Sequence, residues 1–427
     1  MKFPIRQLPT IQNWSCHRSG DCCRDYLVSV TAEEKKCIEG QRWKERPEFS
    51  DTELFTPMGT IWKREYRLSH RADGSCVFLD ENGLCRIHAQ YGEQAKPLAC
   101  QLYPYMIVPA GKELRVSVRF SCPSVVRNLG RPVSQQSREI SRYAAQLVPL
   151  MASAPKPPLL RPGQRVDWPD LLRIVDTFEE IISESDSNLP LRLARAVSFA
   201  RQLEGTRADT LGRSQLHELL TILKEGVRAQ SGPAILPTEP CEKWALTLFR
   251  LLVAQCARKD LSPHLQRGLR GRLALLRAAW SFRRGYGLIP QLQPIFGHVN
   301  FSEVERPFGS IPAEASQIME RYYLVKVQGL QFFGRAYYNV PLIEGLYSLV
   351  LTFPTILWIA RWLAAGAGRT DLYTEDIVRS LTVVDHQWGF TPVLGFGYAR
   401  WRVRILASHG QIERLIIRYG TRLQDAS

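Results

Sequence analysis

Eight of the ten cysteines in this 427-residue chain lie between residues 16 and 122, and residues 123–427 hold only Cys241 and Cys256. In a reducing compartment, cysteines bind zinc, ligate iron–sulfur clusters, or stay buried and inert. So many reactive side chains in one short segment favour a metal site over inert packing. A disulfide framework would require an oxidising compartment, and residues 1–13 contain no apolar stretch typical of an export signal.

The candidate metal ligands are seven cysteines in loops, turns and the ends of short elements: Cys16, Cys22, Cys23, Cys76, Cys85, Cys100 and Cys122. Asn82-Gly83 is a strong turn signal. A hairpin that turns at residues 80–83 would fold Cys85 back beside a strand that bears Cys76, so that both sulfurs could share one metal. The eighth cysteine, Cys37, falls on a short predicted helix, and we interpret it as a packing residue.

The spacing of the cysteines bears on which metal they bind. Zinc sites typically contain paired C-x₂₋₄-C knuckles. Here the gaps are five residues between Cys16 and Cys22, eight between Cys76 and Cys85, and 14 between Cys85 and Cys100. Irregular gaps and surplus cysteines favour an iron–sulfur cluster, and zinc remains the alternative. Three nearby histidines could replace a thiolate, but each alone is interpreted as a surface residue: His17, His70 and His88.

The elements that must position these cysteines form a mixed N-terminal part. Thr31 and Glu34 make a capping box, which predicts a short helix that ends near Gly40. Residues 114–120 alternate between apolar and polar side chains, which is the pattern of a strand, and a hairpin is predicted to join them to residues 106–108. The polar positions of that strand are Arg115, Ser117 and Arg119.

A proline-rich stretch at residues 149–162 separates this part from a helical one. The sequence predicts a cysteine-cluster module at 1–150, a linker at 151–166 and a helical domain at 167–427. Asp167 can cap the first helix, with Pro169 in its first turn. Apolar side chains then recur at helical spacing in segments 171–182, 189–203, 216–227, 241–256, 265–282, 318–333, 342–363 and 377–384. The predicted fold class is mainly α, with a small α+β N-terminal module and an all-helical C-terminal domain.

The charge and hydropathy of the chain exclude some functions. The net charge is +15, and residues 267–284 form a predicted basic amphipathic helix, but no recognition module accompanies the charge, which argues against nucleic-acid binding. Residues 345–360 are uncharged but too short to span a membrane and are interrupted by Pro354, so we predict a buried core helix and no membrane partner. The predicted location is cytoplasmic.

Motifs for other chemistry are sparse, and catalytic residues stay unassigned. The sequence has no P-loop, no G-x-S-x-G, no H-E-x-x-H and no G-x-G-x-x-G turn after a strand. Asp385-His386 is the best acid–base candidate outside the cysteine module, although a surface histidine is the favoured interpretation. Three aromatic pairs are interpreted as core residues: Tyr322-Tyr323, Phe332-Phe333 and Tyr337-Tyr338. Cys241 and Cys256 are interpreted as core residues on a helix.

The cysteine segment resembles the YkgJ family of cysteine-cluster proteins, also called the CxxCxxCC zinc/iron-chelating family. It is also similar to the module carried by flagellin lysine N-methylases. The matching pieces occur in the family order at residues 14–16, 20–23, 74–79, 83–88, 100–104 and 121–123. One departure is visible, because the family name implies a cysteine between the first cysteine and the vicinal pair, and residues 17–21 contain none.

This resemblance implies that the seven candidate cysteines are the family's metal-binding positions. The methylase resemblance further implies an iron–sulfur cluster, S-adenosylmethionine and a protein substrate with an acceptor lysine. The favoured function is therefore an iron–sulfur protein that is a candidate protein-lysine N-methyltransferase. The alternatives are a non-enzymatic metal-binding or redox-responsive protein, and a structural zinc module joined to a helical domain that docks a partner.

Overall fold

In the computed structural model, the described residues are 4–7, 9, 11–60, 63–147, 155–230, 237–258 and 269–420. Residues 149–154 of the proline-rich stretch and residues 267–268 of the basic stretch lie outside them. The division at 151–166 therefore stays a prediction. The described part is mainly helical, with small sheets of short strands in its N-terminal third, so the predicted fold class is confirmed.

In the part of the chain that the structure describes, eight short strands form three small sheets. The strands are β1 Ile5–Gln7, β2 Asn13–Trp14, β3 Ser29–Val30, β4 Phe55–Thr60, β5 Lys63–Leu68, β6 Tyr105–Ala110, β7 Glu113–Val118 and β8 Arg131–Pro132. Their orders are β1-β7-β6, β3-β5-β4 and β2-β8. The β6–β7 hairpin confirms the predicted one, with Ile107 opposite Val116. Among the described strands, only β1 and β7 pair in parallel.

Short helices connect these strands and carry several of the cysteines. They are α1 Cys22–Asp25, α2 Ala32–Glu39, α3 Arg86–Tyr91, α4 Leu98–Leu102, α5 Pro123–Val126 and α6 Ser137–Leu147. The predicted capping box begins α2, where the Thr31 hydroxyl accepts from the Glu34 N–H and the Glu34 carboxylate accepts from the Thr31 N–H. Cys37 on α2 is exposed, so its interpretation as a packing residue is wrong.

The second part consists of helices packed around one long apolar helix. They are α7 Trp168–Ile182, α8 Leu189–Glu204, α9 Arg213–Ala229, α10 Lys243–Ala257, α11 Leu269–Arg284, α12 Phe301–Glu305, α13 Ala313–Gln328, α14 Leu342–Gly366, α15 Thr374–Gln387, α16 Pro392–Gly395, α17 Gly397–Ser408 and α18 Gln411–Gly420. Asp167 caps α7 as predicted. Cys241 precedes α10 rather than lying on it, but it is buried, as is Cys256.

The long helix α14 is the one described helix long and apolar enough to cross a membrane, and its most apolar stretch is wholly buried inside the fold. It packs against α8, α10, α15, α17 and α18. Pro354 lies within it without ending it. The prediction of a buried core helix is confirmed by this burial.

Buried hydrophobic side chains form two clusters. The smaller one lies under the cysteine loops and includes Trp43, Phe49 and Phe78. The larger one runs from Tyr105 on β6 to Tyr419 on α18, so the β6–β7 hairpin shares its core with the helices. The predicted aromatic pairs belong to this larger cluster, as expected.

Candidate metal centre

The vicinal cysteines lie at the start of α1. Gly20 precedes them in a left-handed conformation, with φ of +72°, and its carbonyl accepts a hydrogen bond of 2.9 Å from the Cys23 N–H. The Cys22 and Cys23 sulfurs are 3.9 Å apart. Their side chains therefore do not diverge, and both reach the same space. Cys16, in the preceding loop, is exposed.

A tight turn brings Cys85 towards that loop. The Asp80 carboxylate accepts from the Asn82 N–H at 2.9 Å and from the Leu84 N–H at 2.7 Å, which closes the turn. Gly83 has φ of +76°, and a Cβ atom there would lie 2.1 Å from the carbonyl oxygen of Arg18. The predicted turn is therefore present and packs directly against the Cys16–Cys22 loop.

The position of Cys76 differs from the predicted strand. Cys76 forms an isolated bridge with His70, and a separate isolated bridge joins Leu79 to Cys85. The Cys76 N–H instead donates to the carbonyl of Cys23 at 2.7 Å. Cys76 is thus tied to the vicinal pair by its own backbone, without a regular strand.

The remaining two candidates lie on short helices. Cys100 is in the first turn of α4, where its N–H donates to the carbonyl of Pro97 at 2.9 Å. Cys122 caps α5, and its carbonyl accepts from the Val125 N–H at 3.0 Å. Both thiols are shielded from water, and burial raises the pKa of each.

Six of the seven predicted cysteines line one cavity of about 800 Å³: Cys16, Cys22, Cys23, Cys76, Cys85 and Cys100. Cys122 is buried outside its lining, although its thiol lies close enough to Cys22 for the charges to interact. His70 and His88 also line the cavity, whereas His17 is exposed and bonds to the Ser15 carbonyl at 2.8 Å. His70 is half-buried, so its interpretation as a surface residue is wrong.

Four of the lining thiols interact with one another in every pairwise combination. Burial, with charge on Cys85 and Cys22 adding to its effect, raises the pKa of Cys76 to about 12. Burial also raises the pKa of Cys85 and of Cys100, with charge on the other thiols adding to the effect. For Cys22 the largest cause of the raised pKa is its hydrogen bond with Cys23, followed by burial. Ionising any one of these four thiols therefore opposes ionising the others.

The donor set fits a thiophilic metal. Buried thiols whose ionisation is mutually opposed become thiolates readily only when a cation shares the site, and soft sulfur ligands select zinc and iron–sulfur clusters. Lys96, which lines the cavity, also favours the thiolate form, because its positive charge lowers the pKa of Cys22, Cys85 and Cys100. Among the described residues no three His, Cys, Asp or Glu side chains already have a metal-holding arrangement.

Part of the cavity lining comes from the helical part. It includes His386 and Gln387 at the end of α15, followed by Phe390 and Thr391. The His386 ring lies 4.5 Å from the Tyr26 ring, so the interpretation of His386 as a surface residue is wrong. The cavity therefore joins the cysteines to the C-terminal helices.

Asp385 does not act as the acid–base partner of its neighbour. Its side chain is fully buried and forms an ion pair with Lys326, which is also fully buried. The second carboxylate oxygen of Asp385 accepts the Ser121 N–H at 2.8 Å. The structure therefore assigns Asp385 to an internal ion pair that connects α13, α15 and the segment after β7.

Sequence reasoning missed Arg119, Tyr26 and Tyr103, which also line the cavity. Alternation along β7 suggested that Arg119 and Ser117 lie on a polar face, yet both are buried. The Gln331 side chain covers Ser117, and Phe390 covers Arg119. The covering residues come from distant parts of the chain, so no local pattern reveals this burial.

Comparison with known proteins agrees with the cysteine pattern. Residues 15–123 match the CxxCxxCC family model, described as "Putative zinc- or iron-chelating domain". The match contains all seven predicted ligands and none of the helical part. Comparisons with curated proteins and with solved structures gave no significant match. The resemblance to flagellin lysine N-methylases is not supported by these comparisons.

Proposed function

We propose that the protein holds one iron–sulfur cluster on Cys22, Cys76, Cys85 and Cys100. The observation that carries this proposal is the mutual interaction of these four thiols around one cavity. The match of residues 15–123 to a zinc- or iron-chelating domain supports the coarser statement that this segment binds metal.

Iron–sulfur ligation is favoured over zinc by ligand number and spacing. A structural zinc ion takes four ligands, usually from paired knuckles, and none of the cysteine pairs has that spacing. Cys16 and Cys23 line the same cavity beside the four, so the site contains more sulfur than one zinc ion requires. When bound, a cluster would supply electron transfer or activation of a ligand in the cavity.

The surrounding residues have separable roles. Lys96 offsets negative charge on three of the thiols. Gly83 allows the turn that carries Cys85 to approach the carbonyl of Arg18. The small core under the cysteine loops, which includes Phe78, fixes the residues between Cys76 and Cys85. These contacts position the segments that carry the four cysteines around one cavity.

Protein-lysine methyl transfer is the second candidate function, and the cavity is the observation that favours it. Its volume of about 800 Å³ is within the usual range for small-molecule sites and is large enough for S-adenosylmethionine. In such a reaction a lysine amine attacks the sulfonium methyl carbon, the sulfur–methyl bond breaks to leave a thioether, and the amine proton passes to solvent. The alternative is a metal-binding or redox-responsive protein without this activity.

Purification without oxygen, followed by metal and sulfide analysis, tests the proposed centre. We expect broad visible absorption, with iron and acid-labile sulfide in comparable amounts. Stoichiometric zinc without sulfide would support the zinc alternative and contradict the proposal. Calorimetric titration with S-adenosylmethionine then tests the second candidate, which requires binding that disappears when the metal is removed.

A further inference from the structure

Arg119 is a buried arginine on the wall of the cavity, directly after β7. Its residue is 8% exposed, and its backbone N–H donates to the carbonyl of Pro104 at 2.9 Å. The guanidinium carbon lies 3.1 Å from the centre of the Phe390 ring and 4.3 Å from that of the Tyr26 ring. The side chain is therefore held between two aromatic rings, in a fixed position on the cavity wall.

Arg119 differs from the other buried arginines in its hydrogen bonding. Its Nε and Nη2 atoms are buried without a hydrogen-bond partner among the described residues. The other four buried guanidinium groups each donate to an oxygen: Arg192 to the Ile182 carbonyl, Arg195 to Glu184, Arg361 to the Tyr419 carbonyl and Arg402 to Gln255. Arg119 alone among these five is held only by aromatic contacts.

An unpaired guanidinium in this position is energetically unfavourable. Arginine does not lose its proton in proteins, so Arg119 cannot escape the cost of burial by becoming neutral. A buried charge is normally paired because desolvation is costly. A guanidinium group presents its N–H donors in one plane, as a fork that can bind two oxygens of a carboxylate or phosphate.

The charges of the cavity favour an anionic ligand. Among the described residues its lining contains no Asp or Glu, whereas Arg18 lines it together with Arg119. The remaining lining is largely apolar or aromatic, including Leu27 and Phe390. Small-molecule sites commonly combine an apolar lining with a few fixed polar groups.

We propose that this cavity binds a small organic anion, and that the guanidinium group of Arg119 binds its carboxylate or phosphate group. The rest of the ligand occupies the space between Arg119 and the cysteines. The inference concerns the same cavity as the proposed metal centre but depends on neither the identity nor the presence of the metal. Because Arg119 is already ordered by Tyr26 and Phe390, little ordering cost is added on binding.

Three probes of similar size test this proposal: benzoate, phenyl phosphate and uncharged benzamide. Binding to the full-length protein, purified without oxygen, is measured by ligand-observed NMR and by the shift in melting temperature. We expect benzoate or phenyl phosphate to bind saturably, and benzamide to bind at least about tenfold more weakly. The comparison of the two anions decides between carboxylate and phosphate. Absence of saturable binding by both anions overturns the proposal.

The variants Arg119→Gln and Arg119→Lys separate the fork from its charge. We expect Arg119→Gln to weaken anion binding by about tenfold or more and Arg119→Lys to restore part of it, because lysine keeps the charge but lacks the fork. Arg115→Gln is the matched control, because Arg115 lies on β7, which ends just before Arg119, pairs with Glu113 at 2.8 Å and is outside the cavity lining. Equal anion affinity in wild type and Arg119→Gln contradicts the proposal.

Melting temperature and metal content distinguish this proposal from a structural role of Arg119. Removing a buried unpaired charge should leave the ligand-free protein at least as stable, so Arg119→Gln is expected to melt at or above the wild-type temperature. If both Arg119 variants melt well below wild type or lose metal, Arg119 serves the fold or the metal site, and the proposal fails. If the wild type purified without oxygen contains no metal but still binds an anion through Arg119, the proposed cluster is contradicted and the anion site is not.

Discussion

The cavity-lining cysteines differ in their immediate surroundings. Cys16 is exposed, whereas Cys76 is buried and its backbone is bonded to Cys23. Cys85 and Cys100 are partly buried and interact with Cys76 and with Cys22. These differences predict unequal effects of substitution, because a ligand shared by the whole cluster matters more than a neighbouring spare thiol.

Serine substitution tests the four proposed ligands one at a time. We expect Cys22→Ser, Cys76→Ser, Cys85→Ser and Cys100→Ser each to lower the bound metal by roughly tenfold or more, because a hydroxyl is a poor replacement for a thiolate. Metal per chain is measured after purification without oxygen. Cys37→Ser is the matched control, because Cys37 is an exposed cysteine outside the cavity lining. Full metal content in all four variants would refute this ligand set.

The sequence could predict cysteine chemistry but not the anion-binding residue. Residue type and spacing already marked Cys76 and Cys85 as partners, because an Asn-Gly turn has a known geometry. Arg119 carries no such local signal. Its burial depends on Phe390, which lies far away in the chain and reaches the cavity only through the packing of α15.

At the scale of elements, the turn at residues 80–83 connects two halves of the metal site. Its hydrogen bonds place Cys85 beside the loop that ends at Cys22. The approach of Gly83 to the Arg18 carbonyl leaves no room for a side chain. This contact, rather than a regular strand pair, fixes the distance between the two segments.

Gly83→Ala is expected to destabilise the protein by more than the strain of a positive φ alone, which is about 1–2 kcal/mol. The added Cβ atom would lie 2.1 Å from the Arg18 carbonyl oxygen, so the loop must move and metal content should fall. Gly74→Ala is the control, because Gly74 also has a positive φ, of +84°, but its Cβ atom would meet nothing within 4 Å. Urea unfolding and metal analysis measure both effects. If the two variants lose the same amount of stability and of bound metal, the proposed role of this contact is contradicted.

Helices were predicted more completely than the cysteine loops. Periodicity over residues 189–203 corresponds closely to α8 at Leu189–Glu204, because a buried helix face repeats at a fixed spacing. The loops around Cys76 have no such period, and isolated bridges replace the expected strand. Local patterns therefore identified the helices, whereas the loop geometry depends on contacts between segments far apart in sequence.

At the scale of the whole molecule, one core unites the β6–β7 hairpin with the helices. A buried ion pair between Lys326 and Asp385 lies within it. Lys326 also donates to Gln331 at 2.6 Å, and Asp385 accepts the Ser121 N–H. This network joins the helical part to the segment that carries Arg119, so its loss should affect the cavity from a distance.

Lys326→Met is expected to destabilise the fold by about 3–5 kcal/mol, because it leaves the buried Asp385 carboxylate unpaired. Adding Asp385→Leu should recover part of the loss, since two apolar side chains replace two charges. Arg127→Ala is the control, because it removes an exposed pair with Glu375 that is worth about 0–1 kcal/mol. Denaturant unfolding gives all three values. If Lys326→Met lowers the free energy of unfolding by no more than Arg127→Ala does, the buried pair does not stabilise the fold.

The proposed function depends on the convergence of distant thiols on one metal. X-ray absorption at the metal edge, on protein purified without oxygen, tests it most directly because it identifies the ligand atoms. We predict a first coordination shell of sulfur at about 2.3 Å that is lost in Cys76→Ser. A shell of nitrogen or oxygen at about 2.0–2.2 Å, or protein that contains no bound metal, would contradict the account.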